Sequence, residues 1–242
     1  MSSTETAFRF LQLNMEEDRH LQKILPLIQE HDFDVLLLQE ITKSTFTRIK
    51  QDLGYPYAEF GDMRPSLYSD DISGVSILSK HPGAFAIETF LDIANDNENH
   101  RGAYAYRLVS FTPSSCSDMT FLTTHLPVNY PAPVISELQR NAYKGLIELL
   151  EKKERFILTG DLNSPRSNEN TIYNSLYDQL IEKFQDQLPK NVLTTIDSKL
   201  HSVKGLSYTV DAILTSGDIE VKNIGITENI SDHMGIHGEV IK

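Results

Sequence analysis

Along this chain a polar side chain repeatedly stands where a short apolar run stops. FRFLQLN ends on Asn14, VLLLQE on Glu40, MTFLTTH on His125, and RFILTGDLN on Asp161 and Asn163. In the last third, Asp211 lies within YTVDAIL, and SDH supplies Asp232 and His233 ahead of a final apolar stretch. Brought together, these residues offer carboxylates, carboxamides and imidazoles in one place. Such a set suits a hard cation with oxygen ligands, together with acid–base groups for phosphoryl chemistry. Taken singly, each has a plainer reading. Glu40 alone is a solvated turn residue, Asn14 a helix cap and His125 a hydrogen-bonded core histidine. GDLN reads as a β-turn, and SDH as a serine-led cap.

To converge, these residues need a scaffold that gathers strand ends. Short runs rich in β-branched and aromatic residues predict strands over Phe8–Leu13, Asp34–Gln39, Gly74–Ser79, Ala103–Phe111, Met119–Thr124, Phe156–Thr159, Tyr208–Leu214, Ile219–Ile224 and Gly235–Ile241. Helical periodicity lies between them. Leu21, Ile24, Leu25 and Ile28 form one stripe, with Pro26 inside it as a potential kink. Phe46, Ile49 and Leu53 form a second. A third helix is predicted over Ile135–Glu151 and a fourth over Thr171–Phe184. Gly61–Ser73, Asp92–Gly102 and Leu188–Leu206 read as loops or irregular chain. Strands alternating with helices argue for an α/β fold, with antiparallel pairing among the closely spaced late strands. Open α/β sheets place their sites at strand ends.

Composition narrows the class. The 242 residues, 40% hydrophobic and 23% charged, suit one soluble domain spanning residues 1–242. The single cysteine, Cys116, cannot form an internal disulfide. The first residues carry neither a basic nor an apolar signal region, and no run reaches the roughly 18–20 apolar residues that span a bilayer, so the cytoplasm is the expected compartment. The net charge of −12 argues against a processive duplex nuclease, whose phosphate contacts are made by Lys and Arg.

The motifs LQLN (Asn14), LLLQE (Glu40), TTHLPV (His125), ILTGDLN (Asp161, Asn163), VDAIL (Asp211) and SDH (Asp232, His233) occur in this order. In that order the chain resembles the endonuclease/exonuclease/phosphatase superfamily. That group includes pancreatic deoxyribonuclease, abasic-site endonucleases, tyrosyl-DNA phosphodiesterases, deadenylases, neutral sphingomyelinases and inositol polyphosphate 5-phosphatases. The resemblance implies a four-layer α/β (α+β) sandwich of two mixed sheets with helices outside. It also implies a Mg²⁺-dependent phosphoesterase, with Mn²⁺ able to substitute. Carried over by position, Glu40 is the principal metal ligand, with Asn14 and Asp232 completing its shell. Asp161 orients and deprotonates the attacking water, and Asn163 holds the water or phosphate. His233, oriented by Asp211, contacts the scissile phosphate or serves as acid–base partner, while His125 binds a non-bridging oxygen. Arg101, in HRGAYAY, matches a loose phosphate-contacting motif.

There are departures from the family pattern. Ala212 follows Asp211, Met234 and Gly235 follow SDH, and the chain has no tryptophan. His125 points away from the abasic-site endonucleases. The acidic chain, without an obvious duplex-binding face, favours a nucleic-acid end or single strand as substrate. Tyr57, Tyr68, Tyr104 and Tyr130 are candidates to stack on bases, against the plainer reading of ordinary exposed tyrosines, and the protein is expected to act as a monomer. An inositol phosphate or lipid head group is the rival substrate. A catalytically inactive binding module is the rival of another class. H-x-H and H-E-x-x-H spacings are absent, which argues against a zinc hydrolase.

Overall fold

A computed structural model describes residues 7–93, 105–128, 135–168 and 175–241. The strands are β1 (Ala7–Asn14), β2 (Val35–Thr42), β3 (Tyr57–Pro65), β4 (Ile72–Ser79), β5 (Gly83–Asp92), β6 (Ala105–Pro113), β7 (Thr120–His125), β8 (Phe156–Asp161), β9 (Gln185–Asp186), β10 (Asp211–Thr215), β11 (Val221–Thr227) and β12 (Gly235–Ile241). The helices are α1 (Leu21–His31), α2 (Lys43–Asp52), α3 (Glu137–Leu150) and α4 (Leu176–Ile181). Two six-stranded mixed sheets form, in the orders β11-β12-β1-β2-β4-β3 and β5-β6-β7-β8-β10-β9. Among the described residues no helix is long and apolar enough to cross a membrane.

The strand period of two explains the layering. Phe8 and Phe10 of β1, Val35 and Leu37 of β2, Phe121 of β7, Ile157 of β8 and Ile213 of β10 all enter the core between the sheets. Their sequence neighbours turn outward. Leu11, Leu13, Leu36 and Leu38 pack with Ile24 and Ile28 of α1 and with Phe46 and Ile49 of α2. On the other sheet, Leu122, Leu158 and Leu214 pack with Ala142, Tyr143 and Leu146 of α3 and with Tyr177 and Leu180 of α4. The result is the expected four layers.

The starts of α3 and α4 follow their capping signals. Ser136 and Gln139 close a capping box on α3, and Ser175 and Asp178 do so on α4. That box sets the start of α4 at Leu176, so within the described residues the helix is shorter than the apolar stripe suggests. α1 runs on through Pro26.

Three expectations change in the structure. β3 and β5 replace parts of what reads as loop or unassigned chain. Both are edge strands, where Gly, Pro and charged residues are tolerated and alternation is weak. Gly61 of β3 is required because Val109 Cγ2 lies 2.9 Å from where a Cβ would stand. The strand predicted from Tyr208 begins only at Asp211, because residues 208–210 bond to the irregular chain: Thr195 N to Tyr208 O, Arg166 N to Thr209 O and Leu162 N to Val210 O.

Candidate active site

The site lies where the inner-face columns of both sheets turn polar at one edge. Along β1 the column reads Phe8, Phe10, Gln12, Asn14; along β7 it reads Phe121, Thr123, His125; along β8, Ile157, Thr159, Asp161. β7 and β8 are parallel with His125 opposite Asp161, and β10 runs antiparallel with Asp211 opposite Asp161. The ends of two strands and the start of a third therefore meet. In the facing sheet, parallel β1 and β2 set Asn14 beside Gln39.

Glu40 departs from simple alternation. An extra residue in β2 between Leu38 and Ile41 makes a β-bulge against β4, and β2 continues past Glu40 to Thr42 rather than stopping there. Glu40 has a positive φ of 47°, as do Glu16 (47°), Glu17 (59°) and Asn163 (49°). A non-glycine residue in this region costs about 1–3 kcal/mol, and such strain concentrates at functional sites.

GDLN is not a turn. Gly160 and Asp161 are the last residues of β8, and a Cβ on Gly160 would stand 2.1 Å from Thr124 O. Only glycine lets β7 and β8 close at this level. Asn163 N then donates to Asp161 Oδ1 at 2.9 Å, which pins that oxygen. The other oxygen, Oδ2, is central. It accepts from Asn14 Nδ2 at 3.0 Å and lies 3.6 Å from Nε2 of both His233 and His125. Asn163 Nδ2 in turn contacts His125 Nε2 at 2.9 Å and donates to Leu126 O at 2.9 Å. His125 Nε2 lies 3.7 Å from Glu40 Oε1.

His233 Nδ1 donates to Asp211 Oδ2 at 2.8 Å, and Asp211 is fully buried. Burial alone would lower the affinity of His233 for a proton. The Asp211 and Asp161 carboxylates outweigh it and hold the imidazole well above its usual range, as a cation. Burial pushes Asp161 up from the ordinary carboxylate range, opposed by His233 and reinforced by Asp211. Asp232 is also raised, first by burial and then by Glu16 and Glu40, with His233 opposing.

The structure thus brings together Asn14, Glu40, His125, Asp161, Asn163, Asp211, Asp232 and His233. Arg101 lies outside the described residues, as do Tyr104 and Tyr130.

The model of the Endonuclease/Exonuclease/phosphatase family matches residues 11–233. The chain belongs to this family. No curated protein matches it in sequence. Solved structures share the fold. An endonuclease/exonuclease/phosphatase from Beutenbergia cavernae DSM 12333 superposes with a TM-score of 0.76 at 16% identity, covering 97% of this chain and 71% of that one. A mannosyl-6-phosphatase from Bacteroides thetaiotaomicron VPI-5482 gives 0.68 at 14% identity, covering 97% of this chain and 100% of the other. A humanised TDP2 from D. rerio gives 0.65 at 14% identity, covering 98% and 99%.

Enzymes of this endonuclease/exonuclease/phosphatase family commonly use divalent metals, and the donor set here fits one. Glu16, Glu40 and Asp232 are oxygen donors close enough that the first two raise the third, the repulsion a hard cation would relieve. Asn14 Oδ1 accepts from Glu16 N at 3.1 Å, so the amide braces the acidic loop as well as Asp161. A second group, Asp161, Asp211 and His233, has ligand atoms within 4.8 Å of one another. There His233 Nδ1 and Asp211 Oδ2 already satisfy each other, which suits a proton-handling pair.

Two residues escaped the motif reading. Glu16 follows Asn14 in NMEED, an acidic run that was the available signal; it is held by Arg19 and by His20 Nε2 at 2.8 Å. Arg64 carries no local signal. A second bulge, between Asp62 and Arg64 of β3, accompanies its turn into the site. There Nη1 donates to Glu17 Oε1 at 2.8 Å and Nη2 lies 3.3 Å from Glu40 Oε2. Arg64 thereby occupies one oxygen of Glu40 and leaves Oε1 on the side of His125.

Proposed function

We propose that the protein is a Mg²⁺-dependent phosphoesterase that cleaves a P–O bond by attack of water, acting on a phosphodiester at a nucleic-acid end or in a single strand. One observation carries the chemistry: Asp161 Oδ2 stands between Asn14, His125 and His233 at the edge where Glu40 and Asp232 gather. A divalent cation held by Glu40 and Asp232, with Glu16 and Asn14 beside them, would neutralise charge on the phosphoryl oxygens and orient the phosphate.

The chain's own groups account for the proton. Asp161, raised by burial, is a stronger base than a solvent-exposed aspartate and takes a proton from the attacking water. As the new P–O bond forms, the bond to the leaving oxygen breaks. The cationic His233 donates to a phosphoryl oxygen, with Asp211 fixing its Nδ1. Asn163 and His125, linked at 2.9 Å, hold the water and a non-bridging oxygen.

Support for a base-bearing substrate comes from Tyr68. Its side chain is 53% exposed in the loop after β3, and its ring lies 5.1 Å from the guanidinium of Arg19, which itself holds Glu16. An aromatic face beside a phosphate site stacks on a base without regard to sequence. A second reading, a phosphatase of small phosphomonoesters, is favoured by the net charge of −12, which repels polyanions. In either case the protein acts as a monomer in the cytoplasm, where a lone thiol stays reduced.

The test is a substrate panel: single- and double-stranded DNA, RNA, a 5′-tyrosyl oligonucleotide, mannose 6-phosphate, inositol polyphosphates, sphingomyelin and bis-nitrophenyl phosphate. Wild type, Glu40→Ala and Asp161→Ala are compared with Mg²⁺ and with chelator. Metal-dependent hydrolysis lost in both variants, with circular dichroism unchanged, is expected. Turnover retained in either folded variant refutes the chemistry, and a preference for phosphomonoesters selects the second reading.

A further inference from the structure

At the level of the site, the apolar seam between the two sheets is crossed by a chain of buried polar side chains. Thr123 Oγ1 accepts from Gln39 Nε2 at 2.8 Å, and Gln39 Oε1 accepts from Gln12 Nε2 at 2.8 Å. The same Gln12 nitrogen donates to Asp211 Oδ1 at 2.9 Å, which links β1 of one sheet to β10 of the other. Asp211 Oδ2 then accepts from His233. Gln12, Gln39 and Asp211 are fully buried.

Gln12 makes these contacts at a cost. Its Oε1 is buried and has no hydrogen-bond partner among the described residues. A buried acceptor left unpaired costs about 1–3 kcal/mol. Turning the amide over would be worse, because Oε1 would then face two acceptors, Gln39 Oε1 and Asp211 Oδ1. An apolar side chain would continue the Phe8–Phe10 column with no oxygen of its own to satisfy, but it would take this donor away from Gln39 Oε1 and Asp211 Oδ1. Packing therefore does not account for a glutamine here, whereas Asp211 does. A carboxylate held through one oxygen still turns about its last torsion, which is broad and soft. Held through both, it keeps its plane.

We propose that Gln12 is a positioning residue: it clamps Oδ1 of Asp211 so that Oδ2 stays in line with Nδ1 of His233, which aims Nε2 of His233 at Asp161. The kinetic part of this inference rests on the phosphoesterase reading given above.

The test compares Gln12→Met with Thr123→Val, which removes the far end of the same polar chain and leaves the Gln12–Asp211 bond. Steady-state kinetics on bis-nitrophenyl phosphate should show kcat reduced about tenfold or more in Gln12→Met with KM within about twofold, the scale seen when an outer partner of a site group is lost. Thr123→Val should keep kcat near wild type. By proton NMR, the Nδ1 proton of His233 should be downfield and slow to exchange in wild type and Thr123→Val, and shifted or lost in Gln12→Met. Where the methionine variant fails to fold, Gln12→Asn, one methylene too short to reach Asp211, carries the same comparison. Wild-type kcat in a folded Gln12 variant, equal losses in both variants, or no hydrogen-bonded His233 proton in wild type overturns the proposal. Wild type inactive on every substrate refutes the phosphoesterase reading instead, and the NMR comparison still decides the role of Gln12.

Discussion

Removing Arg64 tests how the buried carboxylates beside the site are braced. Glu17 is fully buried and receives Arg64 Nη1 at 2.8 Å, Leu67 N at 3.0 Å and the Ser66 hydroxyl. In Arg64→Met the carboxylate keeps its two neutral donors and loses its ion pair with the guanidinium. Breaking a buried pair from one side costs about 3–5 kcal/mol, and the surviving donors place the loss at the lower end, about 3 kcal/mol. For a chain of this length, each kcal/mol moves the melting temperature by about 2–4 °C, so a fall of about 6–12 °C is expected. Glu17→Gln removes the charge but leaves Arg64 its contacts with Glu40 at 3.3 Å and Pro65 O at 3.2 Å. That change should cost about 1 kcal/mol. With both partners gone no buried charge is stranded at Glu17, so the double variant should be more stable than the sum of the single losses by about 1–2 kcal/mol. Urea unfolding of all four proteins, followed by circular dichroism, measures the cycle. Strictly additive losses, or an Arg64→Met variant within about 0.5 kcal/mol of wild type, would refute the reasoning.

Further outcomes follow from the same structure. Mg²⁺ at about a hundredfold over its dissociation constant should stabilise the wild type by about 2.7 kcal/mol, and calorimetry should show that gain abolished in Glu40→Gln. Gly160→Ala should lose about 3 kcal/mol or more, because its Cβ meets Thr124 O at 2.1 Å; a melting temperature within 2 °C of wild type, about half a kcal/mol, would contradict that packing. His237 is held below the usual imidazole range by burial first and then by His31 and Arg9, with Glu239 opposing. A depressed folded-state pKa contributes stability above the unfolded value, near 6.5, that is lost as pH falls through the folded value. Unfolding between pH 7.5 and 5 should therefore show a steeper loss in wild type than in His237→Phe, and parallel curves would count against it.

Much of the chain's chemistry is local and therefore legible in its residues. Strand period sorts Phe8, Phe10 and Asn14 from Leu11 and Leu13, and polar residues closing apolar runs mark Asn14, His125 and Asp161 as strand ends. Asn163 N donates to Asp161 Oδ1 only two residues back, a contact that the local sequence suffices to specify. Edge strands β3 and β5 were less legible, because an edge relaxes the alternation that betrays a strand.

What tertiary structure alone decided are the pairings between distant segments. The bulge that aims Glu40 exists only against β4. Arg64 meets Glu17 across 47 residues, and Gln12 meets Asp211 across 199 and between two sheets. No periodicity encodes such contacts. They arise because burial strips water from these groups, and a polar group so stripped is stable only where the fold supplies a partner.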